Sequence, residues 1–148
     1  MKELKSLGYQ LGRTLRVFKN QMASEFREQE IDLTVDQFII LRMLYLNCDL
    51  IQQDLANQLQ KDKSSIVRQI NELLKCQFLV RHTNREDKRK KNLTITKNGM
   101  EILNQMTKIA LEVSGKLLSG VAEQDLDIFE GVLLKIQQNG ETTNHSNG

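Results

Sequence analysis

The feature that most restricts this chain is an abrupt change of hydrophobic period near Phe78. Upstream of it, Ile66, Val67, Ile70, Leu73 and Leu74 fall within one arc when the segment is turned at about 100° per residue, which marks an amphipathic helix. Downstream, residues 79–83 and 92–95 read as two short strands, and Leu93 and Ile95 share a face. Between them lies a tip, residues 84–91, dense in Arg and Lys. A helix that stops and hands over to a hairpin with a cationic tip accounts for the whole stretch from Lys61 to Ile95.

Asp62 stands just before the helix, where its carboxylate can accept from free backbone N–H groups of the first turn. The arc opposite the apolar stripe carries Ser64, Ser65, Arg68 and Glu72, flanked by Gln69 and Asn71. Hydroxyls, amides and a guanidinium are the groups that read base edges in a DNA groove. Taken singly, a polar helix face is ordinary solvated surface and a basic loop ordinarily serves solubility. The order of elements changes that reading. A shorter helix, residues 52–60, with its own apolar stripe lies a few residues upstream, so the run is helix, tight turn, helix, charged hairpin: a winged helix-turn-helix. The predicted fold class is therefore mainly α with a winged helix-turn-helix. Candidate DNA contacts are Lys63, Ser64, Ser65, Arg68 and Gln69 on the second helix and Arg85, Lys88, Arg89 and Lys90 on the wing.

At 148 residues the chain is long enough for one packed domain with an added oligomerisation element. Its net charge is only +2, so affinity for a polyanion must come from local clustering, which the wing supplies. The strongest apolar run, Phe38 to Leu46, is broken by Arg42 and is too short to span a bilayer. The expectation is a cytoplasmic protein with no membrane partner. Cys48, Cys76, His82 and His145 show no metal-ligand spacing, and no His, Cys, Ser and carboxylate set appears at motif spacing. No metal, no cofactor and no catalytic residue is predicted, and the chain does not read as an enzyme.

Taken in order, Leu4, Leu7, Leu11, Leu15, Phe18, Met22 and Phe26 recur at steps of three and four, which predicts one long helix over about 2–29. Gly8 and Gly12 inside it each cost up to about 1 kcal/mol relative to Ala, so its first turns call for packing against something else. Thr34 and Gln37 form a capping-box signal for a helix to about Leu46 with Phe38, Leu41, Met43 and Leu44 among its apolar positions. Ile51 is placed in a short edge strand beside the wing. At the end of the 63–74 helix Gln77 must take a positive φ, a position that favours Gly. Thr96 caps a long helix with Ile102, Leu103, Met106, Ile109, Ala110, Val113 and Leu117 on its stripe, ended by Gly120. A last helix, 123–137, carries Leu126, Phe129, Val132, Leu133 and Ile136. Residues 139–148 are polar with nothing to bury and are expected to be disordered.

These residues resemble the MarR family of bacterial transcriptional regulators over about Leu4 to Gln137. The resemblance rests on Leu33-Thr-Val-Asp-Gln37, on Asp54-Leu-Ala56 with Asp62-Lys-Ser-Ser-Ile66, and most specifically on Asp87-Lys-Arg89 followed by Ile95-Thr-Lys-Asn-Gly99. It implies that Arg89 enters the minor groove and that Asp87 orients a wing arginine, which adds Asp87 to the candidate contacts. It further implies an obligate homodimer on double-stranded DNA, with dimerisation helices at 1–30 and 97–138 around a DNA-binding region at 31–96, and a cleft for a small-molecule effector. The implied function is a ligand-responsive regulator, typically a repressor, on a pseudo-palindromic operator. The same fold also serves as a protein-interaction or assembly module without sequence-specific DNA binding. Gln77 replaces a customary glycine, Ile51 a customary Ser or Thr cap, and Ala122 stands at the cap of the last helix. The peroxide-sensing branch uses a cysteine in its first helix, and none occurs here before Cys48. Cys48 and Cys76 are expected to be small, partly buried apolar residues.

Overall fold

A computed structural model describes residues 2–59 and 62–146, with side chains placed at 6–59 and 62–143. Lys61, where the predicted reading region begins, and Gln60 lie outside the described residues, as do Asn147 and Gly148 of the expected tail. The elements run α1 (Lys2–Glu28), α2 (Val35–Leu46), α3 (Gln52–Leu59), α4 (Lys63–Lys75), β1 (Leu79–Thr83), β2 (Lys91–Ile95), α5 (Lys97–Leu117) and α6 (Glu123–Ser146). This is the mainly helical winged helix-turn-helix that the period change predicts. The chain divides into two compact units, Met1–Ser114 and Gly115–Gly148, and the division falls inside α5 rather than before it.

In the first unit, α2 is the central helix: Phe38, Ile40, Leu41 and Leu44 are all buried. Thr34 opens it as a complete capping box, its hydroxyl accepting from the Gln37 N–H at 3.1 Å while Gln37 Oε1 accepts from the Thr34 N–H at 3.0 Å. The end of α1 packs there through Phe26, whose ring meets Phe38 edge-on at 5.9 Å. Along the rest of the described α1 stripe, Leu11, Phe18 and Met22 are half-buried and Leu7 and Leu15 are exposed. From α4, Ile66, Ile70 and Leu73 enter the core, as the wheel predicts, and Val67 and Leu74 are half-buried at its margin.

The end of α4 decides where the wing starts. Gln77 has φ 63°, and the Phe78 N–H donates to the Leu73 carbonyl at 3.0 Å, closing a left-handed stop of the Schellman kind. β1 and β2 then pair antiparallel with Leu79 opposite Ile95, Arg81 opposite Leu93 and Thr83 opposite Lys91. Opposed residues share a face, so Leu79 and Leu93, both buried, mark the inner face of the hairpin. Ile51 forms a single antiparallel bridge with Asn92, the predicted edge contact. With no side-chain oxygen at Ile51, the start of α3 is held the other way round: Asp54 Oδ2 accepts from the Ile51 N–H at 3.0 Å. Thr96 locks hairpin to helix, its hydroxyl donating to the Gln77 carbonyl at 2.6 Å and accepting from the Gly99 N–H at 3.0 Å. A Cβ on Gly99 would collide with the Phe78 carbonyl oxygen and the Ile95 side chain, so this turn requires glycine. Along α5, Leu103, Met106, Ile109 and Val113 are buried within the first unit.

The second unit comprises the end of α5, the turn at Gly120 with φ 83°, and α6. Glu123 and Asp125 lie in the first turn of α6, where negative charge is favoured. Ile128, Phe129, Val132 and Ile136 are exposed along this helix. It continues past Gln137 to Ser146, through the segment expected to be disordered. Absence of apolar residues denies that segment a core but not helical hydrogen bonds, and the hydroxyls of Thr142 and Thr143 donate to the carbonyls four residues back at 3.0 and 2.8 Å. Cys48 and Cys76 depart from expectation as well. Both are exposed, because each sits just beyond the end of a helix, where the apolar stripe has already finished.

Candidate nucleic-acid interface

The start of α4 is built as predicted. Asp62 accepts the Ser64 N–H at 3.4 Å and the Ser64 hydroxyl at 2.7 Å. That second bond uses the donor of Ser64, which leaves its oxygen lone pairs to face outward. Lys63, Ser64 and Arg68 are exposed and Ser65 is half-buried. Arg68 forms no ion pair among the described residues, so its guanidinium is available to a ligand.

Gln69 is not part of that open surface. It lies about 100° round the helix from Arg68, half-buried, with Oε1 covered and without a hydrogen-bond partner among the described residues. It lines a small cavity of about 100 Å³ with Lys19, Asp36, Ile39 and Leu59. A wheel separates apolar from polar arcs, but a residue on the border goes where neighbouring helices leave space, and here α2 covers it. Glu72, also read onto the open arc, remains exposed yet accepts from Gln37 Nε2 at 2.8 Å, which ties it to α2.

The wing tip is ordered by two short side chains. Asn84 Oδ1 accepts the N–H groups of Glu86 and Asp87 at 2.9 and 3.0 Å, and its Nδ2 donates to Asn92 Oδ1 at 3.1 Å. Asp87 Oδ1 then accepts the Arg89 N–H at 3.0 Å and Arg89 Nε at 3.1 Å, while Arg89 Nη2 reaches Oδ2 at 3.3 Å. The Arg89 guanidinium, followed by its backbone N–H, holds the Asp87 carboxyl below its ordinary value of 3.8; burial opposes them, and the charge of Lys90 adds a lesser lowering. The Arg89 side chain nevertheless stays 91% exposed. Arg85, Lys88 and Lys90 are exposed beside it without ion pairs among the described residues.

Tertiary folding brings the two predicted halves together. Lys63 from α4 and Arg89, Lys90 and Lys91 from the wing border one depression of about 170 Å³, floored by Ile66 and with Gln52 on its wall. The Gln52 Oε1 is covered there and has no partner among the described residues. Four cationic side chains around one opening, beside the exposed Arg68, form a surface suited to a polyanion with a groove. Lys91 borders the same depression, and neither it nor Asn84, which orders the wing tip, is among the candidate contacts read from sequence. For Asn84, the Asn-x-x-Asp spacing at a turn was a usable signal.

A family model described as MarR family matches residues 33–91, from the residue before the capping box of α2 to the first residue of β2. This segment matches the MarR family. The MarR segment thus contains α2, α3, α4, β1 and the whole wing tip. Solved MarR-type structures share the fold beyond that segment. A MarR transcriptional regulator from Methanosarcina mazei Go1 is 22% identical with a TM-score of 0.83, over 93% of this chain and 98% of that one. MepR of S. aureus, solved with DNA, is 22% identical with a TM-score of 0.77, over 90% of this chain and 97% of its own. A putative MarR family regulator from Listeria monocytogenes, complexed with a 26mer DNA, is 24% identical with a TM-score of 0.79, over 90% and 87%.

Proposed function

We propose that this chain is a transcriptional regulator that binds a pseudo-palindromic operator in double-stranded DNA as a homodimer, in the cytoplasm, and is released by a small-molecule effector. The observation that carries the reading is the convergence of Lys63 with Arg89, Lys90 and Lys91, with an exposed Arg68 on the same helix that has no ion pair among the described residues. Helix and wing come from separate stretches of sequence, yet both present cations on one surface. Ser64, Ser65 and Arg68 read base edges in the major groove, and Arg89, steadied by Asp87, lies in the minor groove with Arg85, Lys88 and Lys90 near phosphates. The solved MepR and Listeria complexes with DNA support this use of the fold.

The dimer is supported by apolar side chains left in water. On α1, Leu7, Leu15 and Val17 are exposed, and on α6 so are Ile128, Phe129, Val132 and Ile136. A monomer gains nothing from them, whereas burial stabilises by about 25 cal/mol per Å². Residues 1–30 and 97–138 are accordingly the dimerisation helices. The effector site is assigned to a cleft of about 800 Å³ within the first unit, lined by Phe26, Ile31, Leu33 and Val35 with Arg27 and Gln37 at its polar side.

Selection of bound duplexes from a random pool, with light scattering of the free protein, tests the reading. The expected outcome is one preferred site with two half-sites about 10 base pairs apart centre to centre, bound by a dimer, with affinity falling steeply as salt rises. No enrichment over several rounds, or a salt-insensitive association with a protein instead, would favour the interaction-module alternative.

A further inference from the structure

Among the described residues one side-chain hydrogen bond joins the wing to α4, and its partner on α4 lies on the helix face that carries Ser64 and Arg68. Arg81 of β1 donates from Nη2 to Asn71 Oδ1 of α4 at 3.0 Å. Its place follows from the register: Arg81 stands opposite Leu93, so its side chain leaves the inner face of the hairpin, toward α4. Asn71 is three residues after Arg68 and seven after Ser64, which puts all three on one face of the helix. Both Asn71 and Arg81 are exposed.

The electrical state of Arg81 differs from that of Arg89. Arg89 shares its charge with Asp87, whereas Arg81 has no ion pair among the described residues and is held by a neutral amide. A guanidinium carries five N–H donors in a planar fork. One of its nitrogens is occupied by Asn71, which fixes the plane and leaves the remaining donors and the full charge to a partner. Fixing a long side chain beforehand removes part of the ordering cost of binding. A planar fork with unshared positive charge matches a phosphate.

We propose that Arg81, oriented by Asn71, binds a backbone phosphate of the duplex at the shoulder between the recognition helix and the wing. The inference rests on the DNA-binding reading above and adds a contact that sets position without reading sequence. The competing account is that the bond only ties the hairpin to α4.

The test titrates the full-length parent, Arg81→Ala, Arg81→Lys and Asn71→Asp against the selected duplex and a scrambled one at several salt concentrations. Arg81→Ala is expected to weaken both duplexes by the same factor and to lower the salt slope by about 1. Arg81→Lys keeps the parental slope. Asn71→Asp sets a carboxylate against the guanidinium and lowers the slope as Arg81→Ala does, although it strengthens the tie between hairpin and helix. A parental slope in Arg81→Ala, or parental affinity in Asn71→Asp, would overturn the proposal while leaving the DNA-binding reading intact. A parent that binds neither duplex would overturn that reading, and this contact with it.

Discussion

Gln37 Nε2 donates to Glu72 Oε2 at 2.8 Å, so the amide that caps the start of α2 also clasps the recognition helix. Gln37 is 2% exposed, the one buried polar residue among those described. Replacing it by Ala removes the cap to the Thr34 N–H, opens a cavity and frees Glu72. We expect Gln37→Ala to cost about 2 to 3 kcal/mol, read as a lower urea midpoint at unchanged m. Gln37→Glu keeps an oxygen for Thr34 but opposes Glu72, so Glu72→Gln should restore stability in that background and not in the parent. Equal effects of Glu72→Gln in both backgrounds would show that the two side chains do not interact.

The turn from α4 through the wing into α5 contains two backbone positions with opposite demands. Gln77 sits at φ 63° without being glycine, so Gln77→Gly should stabilise the fold by roughly 1 kcal/mol. At Gly99 a Cβ would strike the Phe78 carbonyl, and Gly99→Ala should destabilise by about 2 kcal/mol or more. Thermal melts of the two variants are expected to move in opposite directions. A shift of the same sign in both would mean that this turn is not built as described.

Asp87 links the wing to pH. Its carboxyl is held below the ordinary 3.8 mainly by Arg89, so the folded form prefers the ionised state more than the unfolded chain does. The contribution to wing order is therefore complete above the unfolded value and is lost as pH falls through the lower folded value. Carbon NMR of the Asp87 carboxyl should show a midpoint below 3.8, and Arg89→Ala should move it back up toward 3.8. A midpoint unaffected by Arg89→Ala would exclude the pairing in solution.

Arg68 and Arg89 are expected to fail differently when removed. Arg68→Ala should cost about 1 to 3 kcal/mol of discrimination between the selected site and a scrambled duplex. Arg89→Ala should weaken both duplexes and lower the salt slope by about 1. If Arg89 merely shapes the loop with Asp87, Asp87→Ala will match its loss and Arg89→Lys will largely restore binding. Full discrimination by Arg68→Ala, together with parental binding by Arg89→Ala, would remove both residues from the interface.

What the sequence determined by itself was local. The Thr34 and Gln37 box, the Asp62 cap, the positive φ of Gln77 and the change of period at Phe78 each involve groups a few residues apart, whose hydrogen bonds and sterics act within one turn of chain. Element order then led to the winged fold, because a helix, tight turn, helix and hairpin admit few packings. Only tertiary structure decided which polar groups stay free. Gln69 and Arg68 are neighbours of similar polarity, yet α2 covers one and leaves the other in water. Glu72 is committed to Gln37, thirty-five residues away, and Arg81 to Asn71 across the helix and hairpin boundary. A periodicity records how apolar a face is, and it holds no information about which distant donor or acceptor will meet the polar residues at its edge.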